Sequence, residues 1–255
     1  MKAFVINLDR EAARLAFQSR QLGALGIAWD RLAATTPETL SPSPADRYWT
    51  RWERPLSAPE KAAHASHRRA WERIAAGATP ALVLEDDAVL MPRTPALLAR
   101  LDAARWLDHV SLETRGRRKL LGAAHPDLPL RRLWQDYSGA AAYVLWPEGA
   151  RKLIARADRA AGIADAVICA AYDLSSWQAA PALALQADRC AAEGLAPPIP
   201  VETSIGRVDA TIYEGLTPAG YRRYRLRRIA HQARMALRRA AHPLARREKV
   251  RFAPG

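Results

Sequence analysis

The sequence predicts an α/β fold: an open, mostly parallel sheet flanked by helices, followed by a basic helical tail. Short apolar runs alternate with segments of helical spacing, and Ala81-Leu82-Val83-Leu84 is apolar throughout, as in a strand covered on both faces. Residues 221–255 carry a separate arginine-rich, amphipathic pattern.

Phe4 to Leu8 read as a short buried strand, and Glu11 to Leu25 follow with Leu15, Gln18, Leu22 and Leu25 at helical spacing before Gly26. Ala28 to Ala33 supply a second strand. Thr35 to Pro59, with five prolines and with Tyr48, Trp49 and Trp52, read as an extended loop able to border a ligand pocket. Glu60 to Ala76 have a helical pattern closed by Gly77, and Ala81 to Leu84 form a central strand that ends in Glu85-Asp86-Asp87. A helix over Pro95 to Arg105, a strand near His109 to Leu112 and a strand over Ala140 to Trp146 come next. Pro147 suits the first turn of the helix carrying Gly149 to Ala157. Beyond Pro181 to Gln186 the chain as far as Pro218 is rich in Pro and Gly and aperiodic, and no element is assigned to it. From Tyr221 to Ala240, Leu226, Ile229, Ala233, Leu237 and Ala240 share one helical stripe, with most arginines on the remaining circumference. The chain divides into an α/β domain, 1–220, and a basic amphipathic tail, 221–255.

A chain of 255 residues can bury a substantial core. Cys169 and Cys190 are too few for a disulfide framework and lack metal-site spacing, which fits thiols in a reducing compartment. The apolar run at the N-terminus stops at Asp9, too early for a signal peptide, and no later stretch reaches a membrane-spanning length. The expected location is the cytoplasm, with adhesion to the inner face of the cytoplasmic membrane open to the tail. The net charge of +13 is uneven: residues 221–255 hold 12 Lys and Arg against one Glu, leaving 27 basic against 25 acidic residues in the body. Specific nucleic-acid binding by the body is therefore not expected.

Ligands of open α/β sheets gather beyond the carboxyl ends of the strands, which is where Glu85-Asp86-Asp87 falls. Three adjacent carboxylates stay ionised only beside a cation or basic partners. Oxygen ligands without cysteine favour Mg²⁺ or Mn²⁺, which keep several waters and take further ligands from a diphosphate, as in a nucleotide-sugar donor. On an extended strand Glu85 and Asp87 point to one side, so they form the metal pair, with Asp86 turned away. A solvated acidic turn after a core strand is the competing reading.

At this point the chain resembles glycosyltransferase family 25, which includes bacterial lipooligosaccharide galactosyltransferases. Four blocks carry the resemblance: Val5-Ile6-Asn7-Leu8-Asp9-Arg10 with Arg14; Leu56-Ser57 through Glu60, Ser66-His67 and Trp71; Ala81 through Asp87 to Leu90; and Gly139 through Leu145 with Gly149 to Leu153. The resemblance implies a GT-A-like fold for residues 1–220, a UDP-sugar donor with UDP-galactose first, and a lipid-linked or cell-surface glycan as acceptor.

Asn7, Asp9, Arg10 and Arg14 stand where the first strand gives way to a helix, a place suited to reading uracil and ribose or holding phosphates, with an N-cap as the alternative for Asp9. With Asp86, and with Ser66 and His67 by resemblance, they form the expected donor-binding set. The competing role for His67 is helix packing, and a zinc site from Glu60, His64 and His67 lacks a further ligand at a diagnostic spacing. Displacement at the sugar carbon needs a base for the acceptor hydroxyl. Asp165 resembles the family's later aspartate and is the candidate, alongside Glu85 among the catalytic residues, with Asp136, Asp173 and a plain surface acid as rivals. The basic tail suits an anionic membrane surface, against a solvated tail as the bland alternative. A metal-dependent nucleotidyltransferase and a non-enzymatic membrane or nucleic-acid adaptor are the competing functions.

Overall fold

The computed structural model describes residues 1–104, 106–137, 139–200 and 210–253. Its elements are β1 (Lys2–Asn7), α1 (Ala12–Ala24), β2 (Trp29–Ala33), α2 (Ala58–Ala75), β3 (Ala81–Glu85), β4 (Ala88–Leu90), α3 (Thr94–Asp102), β5 (His109–Ser111), β6 (Arg118–Ala124), β7 (Leu130–Gln135), β8 (Ala142–Leu145), α4 (Pro147–Arg159), α5 (Ala164–Ala170), β9 (Ser176–Ala179), β10 (Ala184–Gln186), α6 (Pro218–Ala241) and β11 (Arg246–Lys249). Nine strands form one sheet in the order β11-β6-β7-β9-β5-β8-β3-β1-β2, and β4 pairs with β10 in an antiparallel ribbon. β1 is parallel to β2 and β3, and β5 to β9, whereas the remaining sheet pairings are antiparallel. Six strands thus run one way, and β7, β8 and β11 run against them. The α/β class holds, and the reversal of β7 follows from a short connection: residues 125–129 join β6 to β7, a length that permits an antiparallel neighbour but no crossover helix.

Alternation along the strands splits the core in two. Phe4, Ile6, Val83, Tyr143 and Leu145 face a layer that includes α2, α4 and α5, while Ala3, Val5, Leu82, Leu84 and Val144 face Leu22 of α1 and the leucines of α3. β3 lies between β1 and β8 and is covered on both faces, which explains its unbroken apolar run. α4 lies so close to the start of β5 that a side chain at Gly149 would collide with the Asp108 carbonyl.

Several expectations are revised. The second helix begins at Ala58, because Ser57 and Glu60 form a reciprocal capping box. α3 ends at Asp102, and Arg105 lies outside the described residues. The proline-rich loop includes a 3₁₀ turn over Arg47–Thr50 and is anchored by Trp49 and Trp52, both buried against the α2/α4/α5 layer. β4, β6, β7, α5, β9 and β11 have no counterpart in the sequence reading.

Candidate functional site

β1 and β3 end side by side, with Ile6 opposite Glu85. The β4/β10 ribbon sets Gln186 opposite Ala88, and the Ala187 N–H donates to the Asp87 carbonyl at 3.0 Å, so a distant segment closes over the acidic strand end. The result is a cleft of about 360 Å³ whose lining includes Arg10, Arg14, Thr35, Thr36, Ser66, His67, Glu85, Asp86, Asp87 and Gln186. The Gln186 amide donates to Glu85 Oε2 at 3.1 Å and to Asp87 Oδ2 at 3.5 Å. Asp86 turns the other way, accepting from Asn7 Nδ2 at 2.8 Å and from Arg14 at 3.3 Å. Burial and the adjacent charges of Glu85 and Asp86 push the Asp87 carboxyl up to about 7. Burial likewise raises Asp86, against the pull of Asn7 and Arg14.

A chain of hydrogen bonds reaches Glu85 from the core. Trp71 Nε1 donates to the Tyr143 hydroxyl at 2.8 Å, that hydroxyl lies 3.1 Å from His67 Nδ1, and His67 Nε2 lies 3.2 Å from Glu85 Oε1. Indole nitrogen can only donate, so Tyr143 accepts from Trp71 and gives its one proton to Nδ1. This bonding assigns the Nε2–H tautomer to His67, which then donates to Glu85. Tyr143 is fully buried, and burial pushes its hydroxyl far up, so it remains a donor.

The other predicted residues separate into two groups. Arg10, Arg14, Ser66, His67 and Asp86 line the cleft. Ser66 holds its rim, accepting from the Thr35 N–H at 2.8 Å while donating to the Ala62 carbonyl at 2.9 Å. Asn7 and Asp9 are not among the lining residues. Asn7 is buried behind Asp86, accepting from Arg31 Nε at 3.0 Å, and Asp9 is exposed and paired with Arg31. Asp9 does not cap the helix either, since Glu11 holds that position. Asp165, on α5, also lies outside the lining. Burial raises its carboxyl to about 6, against the Ala166 N–H bonded at 2.6 Å, and the charges of Glu85 and Asp136 add to the rise. Its rival Asp136 is buried and paired with Lys119 at 2.6 Å, and Asp173 is exposed. Glu60 serves Arg54 and the capping box, and His64 is held neutral by burial, its ring contacting Trp49 and Trp71. The imagined zinc set is therefore dispersed among separate structural roles.

Thr35 and Thr36 open the loop expected to border a pocket, and they line the cleft just after a parallel strand beside β1. Gln186 and Glu113 escaped the sequence reading. Gln186 carries no local signal, because its place depends on pairing between β4 and β10. Glu113 is buried beyond β5, and burial pushes it up to about 8, so at neutral pH it is mostly protonated.

The donor set fits a hard cation. Asp87 Oδ1 is buried without a hydrogen-bond partner, and Glu85 is fixed beside it through Gln186. No group of three or more His, Cys, Asp or Glu side chains gathers for a metal among the described residues. Two carboxylates leave the other coordination positions to waters and phosphate oxygens, the usual arrangement for Mg²⁺ or Mn²⁺. A family model described as glycosyltransferase family 25 (LPS biosynthesis protein) matches residues 1–168. That span contains every lining residue named above except Gln186. No curated protein matches the chain.

Proposed function

The chain belongs to glycosyltransferase family 25, and on that premise we propose that it moves a hexose, galactose first, from a UDP-sugar to a cell-surface glycan such as lipooligosaccharide. The supporting observation is the cleft in which Glu85, the unpartnered oxygen of Asp87 and the Arg10 and Arg14 side chains converge. Glu85 and Asp87 would hold Mn²⁺ or Mg²⁺, which when bound neutralises charge developing on the departing diphosphate. Gln186 keeps the two carboxylates in register, and His67 fixes Glu85 Oε1. Arg10 offers its guanidinium to a phosphate, while Arg14 divides its charge between Asp86, Glu11 and the cleft. Thr35, Thr36 and Ser66 form the wall suited to uracil and ribose. Asn7 braces Asp86 from behind, and Asp9 acts only through Arg31.

The acceptor hydroxyl oxygen attacks the anomeric carbon as its bond to the diphosphate breaks. UDP leaves, and the hydroxyl proton passes to a carboxylate. Asp165 is the proposed base: it lies beyond the cleft lining but close enough for the Glu85 charge to act on its carboxyl, on the side proposed for the acceptor, and its raised affinity for a proton suits the task near neutral pH. The test is UDP release from a panel of UDP-hexoses with lipooligosaccharide as acceptor, in Mn²⁺ and in EDTA. We expect release from one UDP-hexose, lost in EDTA and reduced about 100-fold by Asp87→Asn. Absence of UDP release from every UDP-hexose, or release of pyrophosphate, would overturn the reading.

A further inference from the structure

The structure orients α6 in a way that the sequence stripe could not reveal. One row of the helix holds the body: Arg227 donates to the Thr50 and Trp52 carbonyls, His231 lies 3.7 Å from Glu53, and Arg238 donates to the Trp134 and Tyr172 carbonyls. His242, just after the helix, stacks on Trp134 with ring centroids 3.6 Å apart. The apolar stripe therefore faces away from the protein, with Leu226 66%, Ile229 53% and Leu237 70% exposed. Six of the seven exposed large hydrophobic side chains among the described residues lie between Tyr213 and Leu244. The exposed Arg222 lies one turn before Leu226 in the same row, and the exposed Arg225 and Arg223 border the stripe on its two sides.

We propose that this outward face of α6 lies flat on an anionic lipid surface, with Leu226, Ile229 and Leu237 in the headgroup boundary and the bordering arginines on lipid phosphates. The charge pattern selects this occupant. A second copy would set arginine rows against arginine rows, since residues 221–255 carry 12 basic side chains against one acidic. A nucleic acid would take the arginines but leave three large aliphatic side chains in water. An anionic interface satisfies both rows at once. No helix among the described residues is long and apolar enough to cross a membrane, so attachment is peripheral. The bonds from Arg227 brace the helix to the loop over residues 35–59, whose first residues line the cleft.

The test is sedimentation of the full chain with phosphatidylglycerol or phosphatidylcholine vesicles, compared with a variant carrying Leu226→Ser, Ile229→Ser and Leu237→Ser. We expect binding to phosphatidylglycerol alone, weakened by salt and at least about tenfold weaker in the variant. Failure of the parent chain to bind phosphatidylglycerol, or equal binding by the variant, would overturn the proposal. So would a dimer on size-exclusion chromatography that the variant dissolves. UDP release, read on the same samples without vesicles, should be unchanged by the variant, which separates this result from the fate of the proposed reaction.

Discussion

Tyr143 shows how one buried hydroxyl can govern a distant carboxylate. Tyr143→Phe removes the acceptor for Trp71 Nε1 and the donor that sets the His67 tautomer, while leaving the ring packing intact. We expect a stability loss of about 1–2 kcal/mol in urea unfolding, from the stranded indole N–H. Weaker Mn²⁺ binding by calorimetry should accompany it, and unchanged metal affinity would remove His67 from control of Glu85. Asp165 gives the opposite balance. A carboxylate normally titrates near 4, and here burial raises it to about 6, so the folded state holds the proton more tightly than the unfolded chain. Stability from this group is complete below the unfolded value and is lost as pH rises through the folded one. Asp165→Asn should therefore be more stable than the parent by about 3 kcal/mol at pH 7.5 and within about 0.5 kcal/mol of it at pH 4. If Asp165 is the base, parent turnover falls as pH drops through about 6, and the Asn variant has lost transfer at every pH. A variant that retains turnover removes the role. The acids at 85–87 were legible because a strand end exposes its chemistry in consecutive letters. Gln186 was not, because only β4/β10 pairing brings it there.

At the scale of elements, what could be read were strands with continuous apolar runs and helices with clean periodicity. β3, β8 and α4 are apolar on the faces they bury, so composition and placement agree. β6 and β7 break that agreement. Lys119 is buried in β6 with its ammonium on Asp136 at 2.6 Å, on Gln178 Oε1 at 2.6 Å and on the Glu113 carbonyl at 3.2 Å. A lysine inside a strand reads as surface until its partners are known, and those partners come from β9 and from the residues following β5 and β7. The pairing has a measurable consequence. Lys119→Met leaves Asp136 buried without its counter-charge and should cost about 3 kcal/mol or more by denaturant unfolding. Adding Asp136→Leu should recover much of that loss. A single variant within about 1 kcal/mol of the parent would mean that the pair contributes little to folding.

At the scale of the whole molecule, the C-terminal residues return to the sheet. Arg246–Lys249 pair with Arg118–Leu121, Glu248 binds Arg131 at 2.8 Å, Val250 is buried beside Leu121 and Leu133, and Phe252 bridges to Ala182. The basic composition of residues 221–255 concealed this strand, because an edge strand with charged side chains resembles a solvated tail. Cutting after Gly220 would remove both α6 and β11, so lost vesicle binding in such a fragment would not separate the lipid face from an unfolded sheet edge. Cutting after Ala245 isolates the strand. It uncovers the β6 edge and exposes Val250's neighbours, at a cost of about 2–4 kcal/mol, or roughly 5–10 °C in melting temperature for a chain of this size. The cleft proposed to hold the donor lies at the β1/β3 end of the sheet, four strands or more from β6, so affinity for the proposed UDP-sugar should remain within about twofold of the parent at 20 °C. Calorimetric melting and UDP-sugar titration check the two halves separately. An unchanged melting temperature would deny β11 its place in the sheet's stability, and a large loss of donor affinity would couple that edge to the cleft.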